Sequence, residues 1–273
     1  MKRKIKLTEA KNGHWYEIVD DELNESIYLP SSTNILSYFP DEGLTFWREN
    51  TDSDEIKKAQ EEGKMQGSKV HHCIELQIAG ETIGIDGLTE EQIASTDLSD
   101  KKLLSYLRNE LTEREEKCLL GFENFWEELK PITVANELMV FSAKHGYAGT
   151  LDWIGYLWDK KTAKYNLWIV DWKISKSLSK SYDLQLVSYL NAFKETYKKR
   201  LGKVRLGILQ LGKNKCGYSF KEVKEIKESW DLFLKTKYIW DRLNKKTGPK
   251  FIDRRAEFKL NKFTKKGRQL KIN

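Results

Sequence analysis

The spacing of apolar and polar positions changes several times along the chain, and each change predicts an element. Residues 4–20, "KIKLTEAKNGHWYEIVD", alternate around Asn12-Gly13 and predict an N-terminal hairpin. In "YLPSSTNIL" (28–36), Ser31 to Thr33 offer a helix N-cap. Residues 54–79 carry a helical pattern that Gly63 and Gly67 are expected to break. Residues 99–130 read as a strongly amphipathic helix or helix pair, ended by Pro131. The period then falls to two. "ITVANELMVFSA", "GTLDWIGYLW" and "LWIVDWKIS" predict three consecutive strands. Residues 178–200 return to helix, "VRLGILQLG" and "CGYSF" predict two further strands, and 221–243 a last helix. The order implies an α/β fold, a mixed central sheet flanked by helices, with a helical insertion near the N-terminus. Four parts follow: a hairpin extension (1–30), a helical region (31–130), an α/β core (131–243) and a tail (244–273).

Composition narrows the class. With 39% hydrophobic and 33% charged residues, the 273-residue chain can bury a substantial core. No apolar run is long enough to span a bilayer, and no apolar stretch follows the basic "MKRKIKL", so neither a membrane segment nor a signal peptide is expected. Cys73, Cys118 and Cys216 are scattered, which fits a reducing cytoplasm and excludes a four-thiolate zinc or iron–sulfur site. The net charge of +7 is concentrated in the tail. Residues 244–273 hold eleven Lys or Arg against two Asp or Glu, while the rest holds 37 against 39. Such a tail suits a nucleic-acid backbone; a solvated tail has the same composition.

One strand carries unexpected chemistry. In "LWIVDWKIS" an apolar run meets Asp171 and Lys173, which share a strand face while Trp172 points the other way. Other D/E-x-K triplets, such as Glu55–Lys57 and Glu128–Lys130, lie in polar helical or turn segments. If the preceding strand pairs around "DKKTAK", Asp152 falls about opposite Asp171. Two carboxylates meeting across strands repel unless a positive charge sits between them. Lys173 alone could supply it in a simple hairpin-stabilising pair. A divalent cation answers better, because Mg²⁺ is typically held by one or two carboxylates with water and phosphate oxygens. Gln185 and Tyr189 are one helical turn apart, on a helix that can look back at the site. His71 and His72 are candidate further ligands. Trp153, Trp158, Trp168 and Trp172 surround the hairpin and are expected to be mostly core, with one or two able to stack on bases.

Taken in order, G-x-x-x-H (Gly67 to His71), G-T-x-D (Gly149 to Asp152), D-x-K (Asp171 to Lys173) and Q-x-x-x-Y (Gln185 to Tyr189) resemble the RecB-like branch of the PD-(D/E)XK nuclease superfamily. The likeness spans roughly residues 28 to 200, and "YLPSSTNIL" is similar to the opening of the phage and mitochondrial exonucleases of that branch. The resemblance implies a restriction-endonuclease-like core, Mg²⁺ or Mn²⁺ as cofactor, and DNA as substrate. It implies His71, Asp152, Asp171 and the backbone carbonyl of Trp172 as metal ligands, His71 fitting the spacing better than His72. It makes Lys173 the catalytic lysine, and Gln185 and Tyr189 DNA-positioning residues. Glu137 and Glu75 are accessory candidates, Glu75 as a carboxylate that orients the His71 imidazole. The region before the strand trio corresponds to an arch that admits a single strand in related exonucleases.

The chain departs from the iron–sulfur members, whose four cysteines it lacks, and from nuclease–helicase fusions, because no phosphate-binding G-x-x-x-x-G-K-[ST] motif is present. A helicase or recombination protein would be a separate chain. The expectation is a phage or bacterial exonuclease that favours single-stranded DNA ends. A double-strand-degrading recombination exonuclease, a restriction-type endonuclease and a non-catalytic nucleic-acid-binding protein are the alternatives.

Overall fold

The computed structural model describes residues 3–20, 25–78, 111–197, 202–215, 217–245 and 247–250. Residues 79–110 of the helical region expected to form an arch, and most of the basic tail (251–273), lie outside the described residues.

The chain opens with an antiparallel sheet of β1 (Arg3–Ala10), β2 (Gly13–Asp20) and β3 (Glu25–Pro30). Ala10 pairs with Gly13 across a two-residue turn, and Gly13 adopts φ +104°, which a side chain rarely tolerates. The hairpin is thus present, and β3 extends it beyond what alternation had predicted. Short helix α1 (Ser32–Leu36) follows, its Asn34 amide capped by Ser31. Then come α2 (Glu42–Glu49), capped by Asp41, and α3 (Ser53–Ile78). Contrary to expectation, Gly63 and Gly67 do not break α3. Each glycine costs a helix interior about 1 kcal/mol, while Val70, Cys73, Ile74 and Ile78 bury one stripe against the sheet. Helix α4 (Glu113–Leu129) begins at a reciprocal capping box between Thr112 and Glu115 and ends at Lys130, φ +45°.

The central sheet has the order β4-β5-β6-β7-β8: β4 (Ile132–Ser142), β5 (Tyr147–Asp159), β6 (Lys164–Lys173), β7 (Val204–Leu211) and β8 (Tyr218–Glu222). Helix α5 (Lys180–Tyr197) links β6 to β7, the one parallel pair of an otherwise antiparallel sheet. Helix α6 (Ile226–Leu243) starts five residues later than periodicity suggested, because Lys221 and Glu222 still pair with Ile208 and Gly207 on β7.

Helices cover both faces of this mixed sheet. On one, Leu184, Val187 and Phe193 of α5 and Phe233 of α6 pack on Ile169, Leu206 and Ile208. On the other, α3 and α4 enclose Trp153, Val170 and Trp172, with Phe122 and Phe125 meeting the Trp172 ring edge-on. Of the hairpin tryptophans, Trp153, Trp168 and Trp172 are core, and Trp158 is half-buried against Tyr165. Among the described residues no helix is long and apolar enough to cross a membrane. Lys69 reaches Glu115 and Gln77 reaches Glu123, so α3 and α4 run side by side in the same direction. The N-terminal sheet rests on the edge of the core through Tyr16, Ile18, Leu29, Phe141 and Ala148.

Gly121 of α4 packs on the backbone at Gly217, where an added methyl would stand 2.1 Å from the Gly217 carbonyl oxygen. Gly121→Ala is therefore expected to destabilise the fold by about 1–3 kcal/mol, read as a lower urea midpoint. An unchanged midpoint would show that this helix and loop can separate without cost.

Candidate active site

The site forms where β5 and β6 part. Their ladder ends at Trp153 paired with Val170. One step further, Asp152 and Asp171 stand at the same level of the two strands, as the hairpin register had implied. The Asp152 carboxylate there accepts the Trp172 backbone N–H at 2.7 Å, so a side chain occupies a position the ladder has vacated. On the other side of β5, Asn136 pairs with Trp153 and Leu138 with Leu151, which sets Glu137 level with Asp152. Glu137 adopts φ +47°, a conformation costly for a side-chain-bearing residue inside a strand.

Helix α3 brings His71 to this gap. Its Nδ1 lies 3.7 Å from Asp152 Oδ2, and its Nε2 lies 3.2 Å from the Trp172 carbonyl oxygen. His71, Glu137 and Asp152, all half-buried, each place a potential ligand atom within 4.8 Å of the others. His72 turns to Glu75 at 3.3 Å, one helical turn away. Glu75 thus engages the neighbouring imidazole, and its charge also bears on Glu137.

Asp171 is held differently. It is 1% exposed, with Lys173 Nζ 2.5 Å from its Oδ2 and Gln185 Nε2 donating to its Oδ1 at 3.3 Å. Gln185 also donates to the Tyr189 hydroxyl at 2.8 Å, and the Tyr182 ring lies under the Lys173 ammonium. Gln185, Tyr189 and Tyr182 all come from α5. The structure brings seven of the residues singled out in the sequence into two groups, His71, Glu137 and Asp152 around one space and Asp171, Lys173, Gln185 and Tyr189 beside it, whereas Glu75 pairs with His72 and not, as expected, with His71.

The electrostatics follow from burial among like charges. Burial pushes the Asp171 carboxyl up to about 6, against the opposing pull of Lys173 and with Asp152 adding to the rise. Glu137 is raised well above the usual carboxylate range by burial and then by the charges of Asp152, Glu75 and Asp171. Burial works against the Lys173 ammonium, but Asp171 and Asp152 outweigh it and hold its pKa above the ordinary lysine value. Lys173 is accordingly a cation at neutral pH.

Several contributors carry no signal in local sequence. Arg114 of α4 donates to the Ile174 carbonyl, and Gln210 of β7 to that of Ser175, so two side chains fix the backbone just after Lys173. Asp41, the α2 cap, accepts from the Ser179 hydroxyl at 2.6 Å, tying α2 to the start of α5. Tyr16 of β2 meets the Thr150 hydroxyl at 2.8 Å, two residues before Asp152. Thr150 sits inside the G-T-x-D motif, but nothing in the sequence pairs it with Tyr16.

An imidazole and two carboxylates around one space, with a backbone carbonyl alongside, form a donor set that suits a divalent cation. Burial is the main cause of the raised Glu137 pKa, and the smaller part that comes from neighbouring carboxylates is a repulsion that a cation would relieve. No protein-family model matches the chain, and no curated protein matches it.

Proposed function

We propose that the chain is a metal-dependent deoxyribonuclease of the PD-(D/E)XK type, hydrolysing phosphodiesters from DNA ends with a preference for single strands. The observation that carries this reading is the meeting of His71, Glu137 and Asp152 beside the Asp171–Lys173 pair at a parting of two strands. His71, Asp152, Glu137 and the Trp172 carbonyl would hold Mg²⁺ or Mn²⁺, with Asp171 adjacent. Such a cation, when bound, lowers the pKa of a water and offsets charge at a phosphorus centre.

The protein's own groups have separable tasks in this reading. Lys173, 17% exposed, is within reach of a substrate, whereas Asp171 is not. Lys173 therefore acts as a fixed cation that orients the attacking water and faces the charge developing on the phosphoryl oxygens. Asp171 keeps it charged and aimed, and Gln185 and Tyr189 keep Asp171 in place. Restriction to DNA ends rests on the resemblance to strand-threading exonucleases.

Chelation with EDTA is expected to abolish hydrolysis of a labelled oligonucleotide, and Mg²⁺ or Mn²⁺ to restore it. Lys173→Ala is expected to lose about 100-fold or more in rate while unfolding within a few degrees of the parent. Undiminished cleavage in excess EDTA would remove the metal, and normal cutting by the variant would remove Lys173 from catalysis.

Protons compete with a cation for carboxylates. Glu137 is raised, and the adjacent Asp171 takes up a proton as pH falls through about 6, so the negative charge that favours a cation is lowest in acid. Mn²⁺ binding, followed by electron paramagnetic resonance, should weaken as pH drops from 7.5 to 5. Constant affinity across that range would show that these carboxylates are not involved.

Threading requires a free end. Linear single-stranded DNA is expected to be digested rapidly, and a circularised form of the same oligonucleotide hardly at all. Equal initial rates would replace the exonuclease assignment with an endonuclease and leave the metal site and Lys173 as they are.

A further inference from the structure

The strand segment that carries Asp152 has unusual support. On the β6 side its ladder stops at Trp153, and between residues 147 and 152 the bridge there among the described residues is that of Ala148 with Ser31. On the β4 side the pairing resumes from Leu151 towards Tyr147, but passes the left-handed backbone of Glu137 level with Asp152. A strand that loses one neighbour and meets a distorted residue on the other is free to shift by a fraction of an ångström unless something else holds it. Packing holds it at Gly149, where an added Cβ would stand 2.3 Å from the Tyr189 ring. At Thr150, the contact that holds it comes from the N-terminal sheet: the Tyr16 hydroxyl, 2.8 Å from Oγ1. Tyr16 is 3% exposed and packs with Ile18, Leu29, Phe141 and Ala148, so its ring is fixed before its hydroxyl is placed.

We infer that Tyr16 is a positioning residue of the candidate active site: through Thr150 it fixes the segment of β5 that presents Asp152. The N-terminal sheet is then part of the catalytic unit and not an appendage. Tyr16 is too buried to touch substrate, so its effect passes through Thr150 and the strand. The inference deepens the nuclease reading and rests on it for the activity it predicts, but the cation-binding consequence can be measured on its own.

The test is a double-mutant cycle of Tyr16→Phe and Thr150→Val on the full-length protein, reading kcat, KM, Mn²⁺ affinity and thermal midpoint. Tyr16→Phe keeps the packed ring and removes one hydroxyl, so the midpoint should move by no more than about 5 °C. The expected result is a fall in kcat of about tenfold, weaker Mn²⁺ binding and little change in KM. Thr150→Val should do the same, Thr150→Ser should lose less than Thr150→Val, and the double variant should be no worse than either single one. A purely structural role would lower the midpoint, leaving kcat and Mn²⁺ affinity of the folded fraction untouched. Parental kcat and Mn²⁺ affinity in Tyr16→Phe, or additive losses in the double variant, would overturn the inference. If the parent protein binds Mn²⁺ but cuts no DNA, the nuclease reading fails and the Mn²⁺ affinities alone decide on Tyr16. A parent that neither binds Mn²⁺ nor cuts DNA would overturn both.

Discussion

Three carboxylates kept side by side on neighbouring strands are the constraint around which this chain is organised. Glu137, Asp152 and Asp171 stand level on β4, β5 and β6, and burial raises the carboxyls of Glu137 and Asp171. The groups that contact them come from several parts of the chain. Lys173 follows Asp171 on the same strand, Gln185 comes from α5, and His71 comes from α3, 81 residues before Asp152. The Trp172 amide, released where the strands part, goes to Asp152. Without the sheet to hold the acids together and helices on both faces to supply partners, the cluster would relax by protonation or by moving apart.

The two helical layers divide this work. The α5 layer fixes one end of the row: Tyr189 packs on Gly149, Gln185 bonds Asp171, and Tyr182 lies under Lys173. The α3–α4 layer supplies His71 at the other and surrounds Trp172 with aromatic rings, so that the residue between Asp171 and Lys173 cannot rotate. Because Trp172 is locked, the faces on which Asp171 and Lys173 emerge are locked too. The apolar packing on one side of β6 thus sets the direction of the charges on the other.

Much of this was legible in the sequence because it depends on period. Strand alternation alone put Asp171 and Lys173 on one face and Trp172 on the other, and a short polar turn set Asp152 against Asp171. The unbroken run of α3 was not legible, since local propensity penalises Gly63 and Gly67 and only tertiary burial of Val70 to Ile78 overrides it. The late start of α6 was hidden because Lys221 and Glu222 suit a helix and an edge strand equally. The separation of the acids into a His71–Glu137–Asp152 group and an Asp171–Lys173 pair depends on the left-handed turn at Glu137, which no residue preference announces. Tyr16, more than a hundred residues from Thr150, belongs to contacts that sequence spacing cannot encode.

The chain leaving α6 returns to the N-terminal hairpin. Lys11 N–H bonds the Lys250 carbonyl at 2.9 Å, Asn12 bonds Gly248 and accepts from the Lys250 amide, and the strongly basic stretch continues from there. The tip of β1–β2 therefore holds residues 248–250. A displacement of Lys250 would load that tip before it reaches α6, and β2 is the strand that carries Tyr16. The hairpin thus joins residues 248–250 at its tip to the strand of Asp152 through Tyr16, so a displacement at one end has a short route to the other.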